Sequence, residues 1–343
     1  MNYLRLTGPY YKMGAELGGI LKANGVKFSL SLDDFQTAFG KKSQALLMSI
    51  FPEVVEEIKG LTDQIKFDTE LFTSWMMCMG CCLYNMDRDS LVEARGCTAF
   101  AFRNSDHCYY GRNNDLPPYL EKGCKSIHYS PQGADSFLLN TSSFINGEEG
   151  INDRGLVVAM TFVAPYLEQI KPGFNAVFIV RYLLEKCGTT DEALFALKQL
   201  PIASSCNILL CDKSGAMLVA ECSSEQIHIR HPLYNDRGEP YIITVNNFIS
   251  HDMIKYENKA IDDYASKRRY ATVGSALERH SEDPLVFSKK LLSGEYGFIC
   301  QYDHPEVFKT VWSSIFDIRN NEIFVAEGTP GYDTYKAVRI FGR

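Results

Sequence analysis

Two short segments carry residue types that could perform chemistry. The first places a cysteine directly after a glycine, at Gly96-Cys97. The second places a base and an acid close together, at Arg112 and Asp115. A cysteine attacks a carbonyl group as its thiolate, so it needs a proton acceptor or a positively charged environment. The pattern therefore predicts that Cys97 is a nucleophile and that the second segment supplies the charged groups around it.

Two kinds of proton acceptor are compatible with Cys97. Its own α-amino group has an ordinary pKa of about 7.7–8.0, which suits proton transfer near neutral pH. That amine is free only if the Gly96–Cys97 bond is cut, and glycine tolerates the strained backbone through which the thiol would attack the preceding carbonyl. The other kind is a histidine brought close by folding, with His107, His231 and His251 as candidates. The first option predicts an enzyme that cuts its own chain, and the second a papain-like enzyme that works uncut.

A β-hairpin is predicted to bring Cys97 and Arg112 together. Residues 97–102 alternate with the two-residue period of a strand, turn residues follow, and His107 to Arg112 forms the return strand. A two-residue loop at Asn104-Ser105 would place Arg112 directly opposite Cys97. A four-residue loop would keep the two side chains on the same face, whereas a three-residue loop would not. We therefore expect Arg112 to stand beside Cys97 as a cross-strand neighbour.

The hydrophobic pattern changes near residue 96. Before it the periodicity is mainly helical, with helices predicted at Tyr10–Lys22, from Pro52 onward and at about Asp68–Tyr84, and with a polar connector at Asn85–Ser90. After it, strands are predicted at 97–102, 107–112, 136–139, 156–161, 207–211, 216–221, 241–245, 311–317 and 323–326, and helices at 175–186, 189–200 and about 261–279. Because the strands come mostly in hairpins, layered helices over antiparallel strands are predicted for residues 97–343.

Composition limits the class of protein. A formal net charge of -7 gives no basic surface for nucleic acid. The N-terminus lacks the apolar core of a secretory signal and no apolar run is long enough to span a bilayer, so no membrane partner and a cytoplasmic location are expected. Eleven cysteines are an odd number, which argues against a disulfide framework. Cys78, Cys81 and Cys82 lie in an apolar helical pattern without a second ligand pair, so buried thiols are predicted there and no metal site.

Several motifs in one order make the chain similar to a known family. Cys97-Thr98 at the start of a strand, followed by Gly111-Arg112-Asn113-Asn114-Asp115, resembles the choloylglycine hydrolase and acyl-coenzyme A:6-aminopenicillanic acid acyltransferase family of N-terminal-nucleophile hydrolases. The other similar segments are 6–14 with Gly18, 150–156, 207–221, 244–248, 266–270, 310–313 and 328–330. Each motif alone is weak, but together they cover nearly the whole chain.

The resemblance implies a fold and a division of the chain. The implied fold class is α+β, a four-layer αββα N-terminal-nucleophile hydrolase sandwich with a helical N-terminal prosegment. Residues 1–96 would form this prosegment, which is too apolar to be released as a solvated tail and would remain associated. Residues 97–343 would form the catalytic domain, beginning at Cys97 after cleavage of the Gly96–Cys97 bond.

The resemblance also implies roles for individual residues. Cys97 would be the nucleophile with its freed α-amine as base, and Asp115 would accept a hydrogen bond from that amine. Arg112 would stabilise the thiolate and the substrate carbonyl region. Asn246, preferred over Asn247 on strand parity, would donate to the oxyanion, with the backbone N–H near Thr161 as second donor. Arg269 would complete the polar cluster.

The expected activity is hydrolysis of linear, non-peptide amides, or transfer of their acyl group, through an acyl-enzyme at Cys97. No cofactor is expected, the partner is a small acyl-amide substrate, and an acyl-thioester donor and a homo-oligomer stay open. The Cys97-to-Arg112 spacing of 15 (112 − 97) is one shorter than in the bile-salt branch, and Asn114 with Pro117-Pro118 replaces a pair that shapes the acyl pocket there. Bile-acid specificity is therefore not supported. The alternatives are an uncut papain-like Cys–His hydrolase and a non-catalytic binding protein on the same scaffold.

Overall fold

The N-terminal part of the chain combines a strand with a group of helices. The computed structural model describes residues 1–83, 96–279 and 281–338. The first of these ranges contains β1 (Asn2–Gly8), α1 (Tyr10–Ala23), α2 (Asp34–Ile50), α3 (Pro52–Ile65) and α4 (Thr69–Cys78). Helices α1, α3 and α4 lie where the sequence predicted helices, whereas β1 and α2 were not predicted.

Capping residues explain where these helices begin and end. Asp33 forms a capping box at the start of α2, with its carboxylate accepting the Gln36 N–H at 2.7 Å. Helix α4 starts at the cap of Asp68 and ends before Gly80, which has a φ of +66°. The predicted helix over 68–84 is therefore too long. The predicted connector at Asn85–Ser90 lies outside the described residues.

The chain after residue 96 is dominated by strands. Its elements are β2 (Gly96–Arg103), β3 (Cys108–Leu116), β4 (Lys125–Pro131), β5 (Phe137–Thr141), β6 (Glu149–Asn152), β7 (Leu156–Phe162), α5 (Ala176–Lys186), α6 (Thr190–Leu197), β8 (Cys206–Asp212), β9 (Met217–Cys222), β10 (Ile227–Arg230), β11 (Leu233–Tyr234), β12 (Pro240–Thr244), α7 (Ser266–Arg279), α8 (Pro284–Leu292), β13 (Lys309–Asp317), β14 (Glu322–Glu327) and β15 (Lys336–Val338). The helix predicted over 261–279 begins only at Ser266, because Tyr264 and Ala265 take left-handed φ angles of +51° and +55°.

Two sheets organise these strands. The larger has the order β1-β4-β5-β6-β7-β8-β9-β10, and the smaller has the order β11-β12-β2-β3-β13-β14-β15. Neighbouring strands are antiparallel except for β1, which pairs parallel with β4. Since β1 precedes residue 96 and β4 follows it, the N-terminal segment contributes an edge strand to the larger sheet.

Three apolar cores show that the chain is built in four layers. The core between the two sheets includes Ala99, Ala101, Val157, Leu209 and Ile242. The core between the larger sheet and the N-terminal and α5–α6 helices includes Leu17, Ile58, Val158, Phe178 and Leu210. The core between the smaller sheet and α7–α8 includes Phe100, Phe102, Val273, Phe287 and Ile315. The predicted α+β fold with αββα layers is therefore confirmed.

The hairpin β2–β3 has a four-residue loop. It does not have the two-residue loop that would place Arg112 directly opposite Cys97. Arg103 pairs with Cys108, so Ala99 stands opposite Arg112 and Cys97 stands opposite Asn114. The Asn104 side chain stabilises this longer loop, because its Oδ1 accepts the N–H groups of Asp106 at 2.9 Å and His107 at 2.7 Å. Arg112 is consequently a diagonal neighbour of Cys97 on the same face.

Helix α1 crosses α3 with the two backbones in contact. A Cβ added at Gly14 would lie 1.8 Å from the Glu57 carbonyl oxygen, whereas a Cβ at Gly19 would meet nothing within 4 Å. We expect Gly14→Ala to lower the free energy of unfolding by about 1–3 kcal/mol or more, since the helices must separate. Gly19→Ala on the same helix should raise it by up to about 1 kcal/mol. Urea denaturation of the two variants measures both, and equal midpoints would contradict the expectation.

Candidate active site

Cys97 lies in a buried polar site. Its N–H, its carbonyl oxygen and its thiol each contact a polar side chain. Its Sγ is 3.0 Å from Nη2 of Arg112 and 3.4 Å from Oδ1 of Asn114. Its N–H donates to Oδ1 of Asn246 at 2.6 Å, and its carbonyl oxygen accepts from Nη1 of Arg269 at 2.6 Å. The side chain is buried, with 3% of the residue exposed. The site thus holds the peptide group on both sides of the cysteine.

Arg112 is fixed in place by two acceptors besides the thiol. Its Nη1 donates to the carbonyl oxygen of Met160 at 2.5 Å, which ties the smaller sheet to the larger one. Its Nε and Nη2 both donate to Oδ1 of Asn114, at 3.2 and 2.6 Å. The strand alternation places Arg112, Asn114 and Cys97 on the face between the sheets. The guanidinium is therefore held against the sulfur as a fixed positive charge.

Two opposing effects act on the Cys97 thiol. Burial raises its pKa, and the neighbouring charges of Arg112 and Arg269 lower it. The net shift is upward, so in the uncut chain the sulfur is a neutral thiol at pH 7. Attack on a carbonyl therefore needs a proton acceptor in addition to the arginines.

Asp115 lies on the other face of β3, next to Gly96 in the strand register. Its two oxygens accept hydrogen bonds from the Tyr302 hydroxyl at 2.7 Å and the Thr310 hydroxyl at 2.6 Å. Burial raises the pKa of this carboxyl, which the Arg269 charge and the two hydroxyl donors oppose. Asp115 is therefore adjacent to the residue that precedes Cys97.

Asn246 and Arg269 join the end of β12 to the start of α7. The Asn246 side chain accepts from Cys97 and from Nη2 of Arg269 at 2.9 Å, while its Nδ2 donates to the carbonyl oxygen of Phe162 at 2.9 Å. Arg269 also donates to the carbonyl oxygens of Asp263 and Tyr264, at 2.8 and 3.0 Å. The turn before α7 contains two consecutive residues with left-handed φ angles, Tyr264 and Ala265. Strained backbone of this kind is common at functional sites.

Thr161 is fully buried on β7. Its hydroxyl donates to the Val245 carbonyl oxygen at 2.6 Å. The N–H of the preceding residue, Met160, donates to the Glu148 carbonyl oxygen. Because successive N–H groups of a strand point to opposite sides, the Thr161 N–H points toward β8. Its role as an oxyanion donor stays a prediction.

The histidine alternative finds no support in the contacts of Cys97. None of the hydrogen bonds of Cys97 in the described chain involves a histidine. His107 lies at the tip of the hairpin, where its Nδ1 is 3.6 Å from Asp317. His231 and His251 are exposed.

The site therefore contains Cys97, Arg112, Asn246 and Arg269 in direct contact, with Asp115 beside Gly96. Sequence reasoning did not single out Asn114, Tyr302 or Thr310 as contact residues. Asn114 could have been found from strand parity, since it shares a face with Arg112. In the described ranges, no group of three or more His, Cys, Asp or Glu side chains is arranged to hold a metal ion. No described helix is long and apolar enough to cross a membrane.

Comparison with known proteins assigns the family. The model of the acyl-coenzyme A:6-aminopenicillanic acid acyl-transferase family matches residues 102–332, which is more than half of the chain. The chain belongs to this family. The resemblance stated from the sequence motifs is thereby confirmed. Membership of this acyl-transferase family supports amide hydrolysis or acyl transfer as the type of activity. No match was found among curated proteins.

Solved structures with a similar fold are of low sequence identity. Penicillin V acylase from Agrobacterium tumefaciens is 16% identical with a TM-score of 0.42, and the match covers 67% of this chain and 82% of that one. A mutant of conjugated bile acid hydrolase from Clostridium perfringens is 12% identical with a TM-score of 0.44, covering 71% of this chain and 92% of that one.

Gly96 has no room for a side chain in this member of the acyl-transferase family. An added Cβ would lie 2.7 Å from Cζ of Phe308 and 3.1 Å from Cβ of Asp115. We expect Gly96→Ala to displace the Gly96 carbonyl group and to slow the predicted cleavage of the Gly96–Cys97 bond at least tenfold, since small misplacements of reacting groups cost large factors in rate. A time course of intact mass measures this. Gly123→Ala, whose added Cβ would approach only the Ser142 carbonyl oxygen at 3.9 Å, is the control and should be cut at the wild-type rate.

Proposed function

We propose that this protein is a cysteine N-terminal-nucleophile amidase or acyltransferase that acts on linear amides and first cuts its own Gly96–Cys97 bond. The observation that carries the proposal is the set of contacts at Cys97. The sulfur is 3.0 Å from the Arg112 guanidinium, while the N–H and the carbonyl oxygen are bound by Asn246 and Arg269. These contacts hold a buried thiol beside a fixed positive charge in a chain of the acyl-transferase family.

Processing uses the thiol against its own backbone. Sγ attacks the carbonyl carbon of Gly96, the bond to the Cys97 nitrogen breaks, and that nitrogen takes the thiol proton. The Gly96 acyl group is then a thioester on sulfur. Water cleaves the thioester, which leaves a carboxylate at Gly96, a free thiol and a free amine at Cys97. Asp115, adjacent to Gly96 in the register, would accept a hydrogen bond from this amine.

Turnover repeats the acyl transfer on a substrate. The α-amine takes the thiol proton, and the thiolate attacks the amide carbonyl. Asn246 has a second N–H beyond the one used by Phe162, and this N–H would bind the oxyanion. The leaving amine takes the proton back from the α-ammonium group. Water, or a second amine, then removes the acyl group from sulfur.

Residues 1–96 would stay bound after cleavage. Strand β1 pairs along its whole length with β4, and the N-terminal helices share a core with the larger sheet. This core includes Leu17 and Ile58 from the N-terminal helices and Val158 from the larger sheet, each fully buried. Release of the segment would expose this apolar surface to water.

Intact-mass measurement with N-terminal sequencing tests the proposal. The expected result is two fragments, one of 96 residues and one of 247 (343 − 96) beginning at Cys97, which co-elute in size exclusion. A single chain of 343 residues with amide turnover would instead favour the uncut Cys–His hydrolase. In that case one of His107→Ala, His231→Ala and His251→Ala would abolish turnover. An uncut chain without turnover, and without acylation of Cys97, would favour a binding protein.

A further inference from the structure

Asn114 occupies the position directly opposite Cys97 in the hairpin. It is fully buried, and its Oδ1 accepts two N–H groups of Arg112. A guanidinium has donors only, so the oxygen of this amide must face Arg112 and the nitrogen must face away from it. The orientation of the Asn114 amide is therefore determined by its partner.

Within the part of the chain that the structure describes, the Asn114 amide nitrogen is a buried donor without an acceptor. Among the described residues, Nδ2 has no hydrogen-bond partner and almost no solvent exposure. Buried polar groups are nearly always paired with a hydrogen-bond partner. A buried donor that has no partner in the protein therefore indicates that another molecule, such as a ligand, supplies the acceptor. The oxygen of the same amide is 3.4 Å from Sγ of Cys97, so the Asn114 amide group adjoins the atom that would carry the acyl group.

The position of Asn114 in the sheet decides which part of a substrate it meets. Strand β2 lies between β12 and β3. The Cys97 nitrogen points to the β12 side, where it contacts Asn246. The leaving amine of a substrate takes its proton from this nitrogen, so it lies on that side. Asn114 is on β3, on the other side of Cys97, where the acyl group extends.

We propose that the Asn114 N–H donates a hydrogen bond to an acceptor on the acyl group of the substrate, close to the carbonyl that Cys97 attacks. The preferred substrates are then amides of acids with an oxygen near the carboxyl carbon, such as alkoxy-, hydroxy- or keto-acyl groups, and not plain alkyl acyl groups. This inference rests on the proposed function, because it requires an acyl group on Cys97.

Two esters that differ by a single atom test the inference on the processed protein. p-Nitrophenyl methoxyacetate and p-nitrophenyl butanoate have acyl chains of the same length, with oxygen in place of CH₂. The rate of Cys97 acylation is followed by release of p-nitrophenol and by intact mass. The ratio of the two rates, divided by the same ratio for N-acetylcysteine, removes the intrinsic reactivity of the esters. We expect this normalised ratio to be about tenfold or more, because a donor left unpaired by the alkyl chain penalises that substrate.

Two variants assign the effect to the amide N–H. Asn114→Asp has the same shape and keeps an oxygen for Arg112 but has no N–H, and Asn114→Leu removes both polar atoms. Each should bring the normalised ratio down to about one. Asn113→Asp is the matched control, because its side chain lies on the opposite face of β3 and donates to the Leu292 carbonyl oxygen at 2.9 Å. The ratio of this control should equal that of the wild type.

The remaining outcomes separate this inference from the proposed function. A wild-type ratio equal to that of N-acetylcysteine would overturn the inference, with the N–H then satisfied by water. An equal loss of rate on both esters in Asn114→Asp would also overturn it, since Asn114 would then bind the oxyanion. In both cases acylation of Cys97 still supports the proposed function. An uncut chain that neither ester acylates would overturn the proposed function itself.

Discussion

Replacement of Cys97 by alanine is expected to leave an uncut chain of 343 residues with no amide turnover. The variant removes the sulfur that would attack both the Gly96 carbonyl and the substrate, and no other group of the site can form the thioester. Loss of a catalytic nucleophile lowers kcat on the order of 10⁶-fold. Intact mass reports cleavage, and release of amine from a panel of acyl amides reports turnover.

Cys187→Ala is the matched control for this experiment. Cys187 is also a buried free thiol, but it follows α5 on the outer side of the larger sheet. The Cys187→Ala variant should be cleaved between Gly96 and Cys97 and should keep wild-type turnover. If the Cys97 variant were cut at Gly96, or hydrolysed amides at a rate close to that of the wild type, Cys97 would not be the nucleophile.

Replacement of Arg181 by methionine is expected to cost about 3–5 kcal/mol of stability, the usual effect of removing one partner of a buried ion pair. Arg181 is fully buried on α5, with Nη2 2.7 Å from Glu57 of α3 and Nε 3.1 Å from Glu185. Its guanidinium also lies 4.2 Å from the ring centre of Tyr129 on β4. The variant would leave the buried Glu57 carboxylate without its counter-ion and would leave Glu185 with Lys186 at 3.8 Å. Urea denaturation measures the loss as a lower midpoint.

The pH dependence of this loss has a definite sign. Burial already raises the pKa of Glu57, which Arg181 opposes. Without Arg181 that folded-state pKa rises further, so stability is lost as pH increases and the Glu57 carboxyl group ionises. The destabilisation should therefore be larger at pH 8 than at pH 5.

Lys186→Met on the same helix is the control. Its pair with Glu53, at 2.8 Å, is partly exposed, and Glu185, which lies 3.8 Å from Lys186, keeps its closer contact with Arg181 at 3.1 Å. The expected cost is therefore below about 1 kcal/mol. Equal effects of the two variants would show that the Arg181 cluster does not stabilise the contact between α3 and α5. Since α3 lies before Cys97 and α5 after it, the same cluster would help to retain the N-terminal segment after cleavage.

Local sequence patterns predicted most of the strands and helices, because each depends on neighbours only a few residues away. The alternation over 97–102 and 107–112 identified β2 and β3, and the helical spacing from Tyr10 identified α1. One wrong boundary has a tertiary origin. Helix α7 starts at Ser266 and not at 261 because Tyr264 and Ala265 are held left-handed, and residues of these types rarely take that conformation without tertiary contacts.

Local patterns alone placed a cysteine, an arginine and an acid on one hairpin, and strand parity put Cys97 and Arg112 on one face for two of the three loop lengths. Which loop forms was decided by the Asn104 side chain, and it set Asn114 opposite Cys97. Only the tertiary structure brought Asn246 and Arg269 to the cysteine, because β12 pairs with β2 across a separation that no local pattern encodes. The unpaired Asn114 amide also appears only in three dimensions, since pairing depends on every neighbour of a buried group and not on its own type.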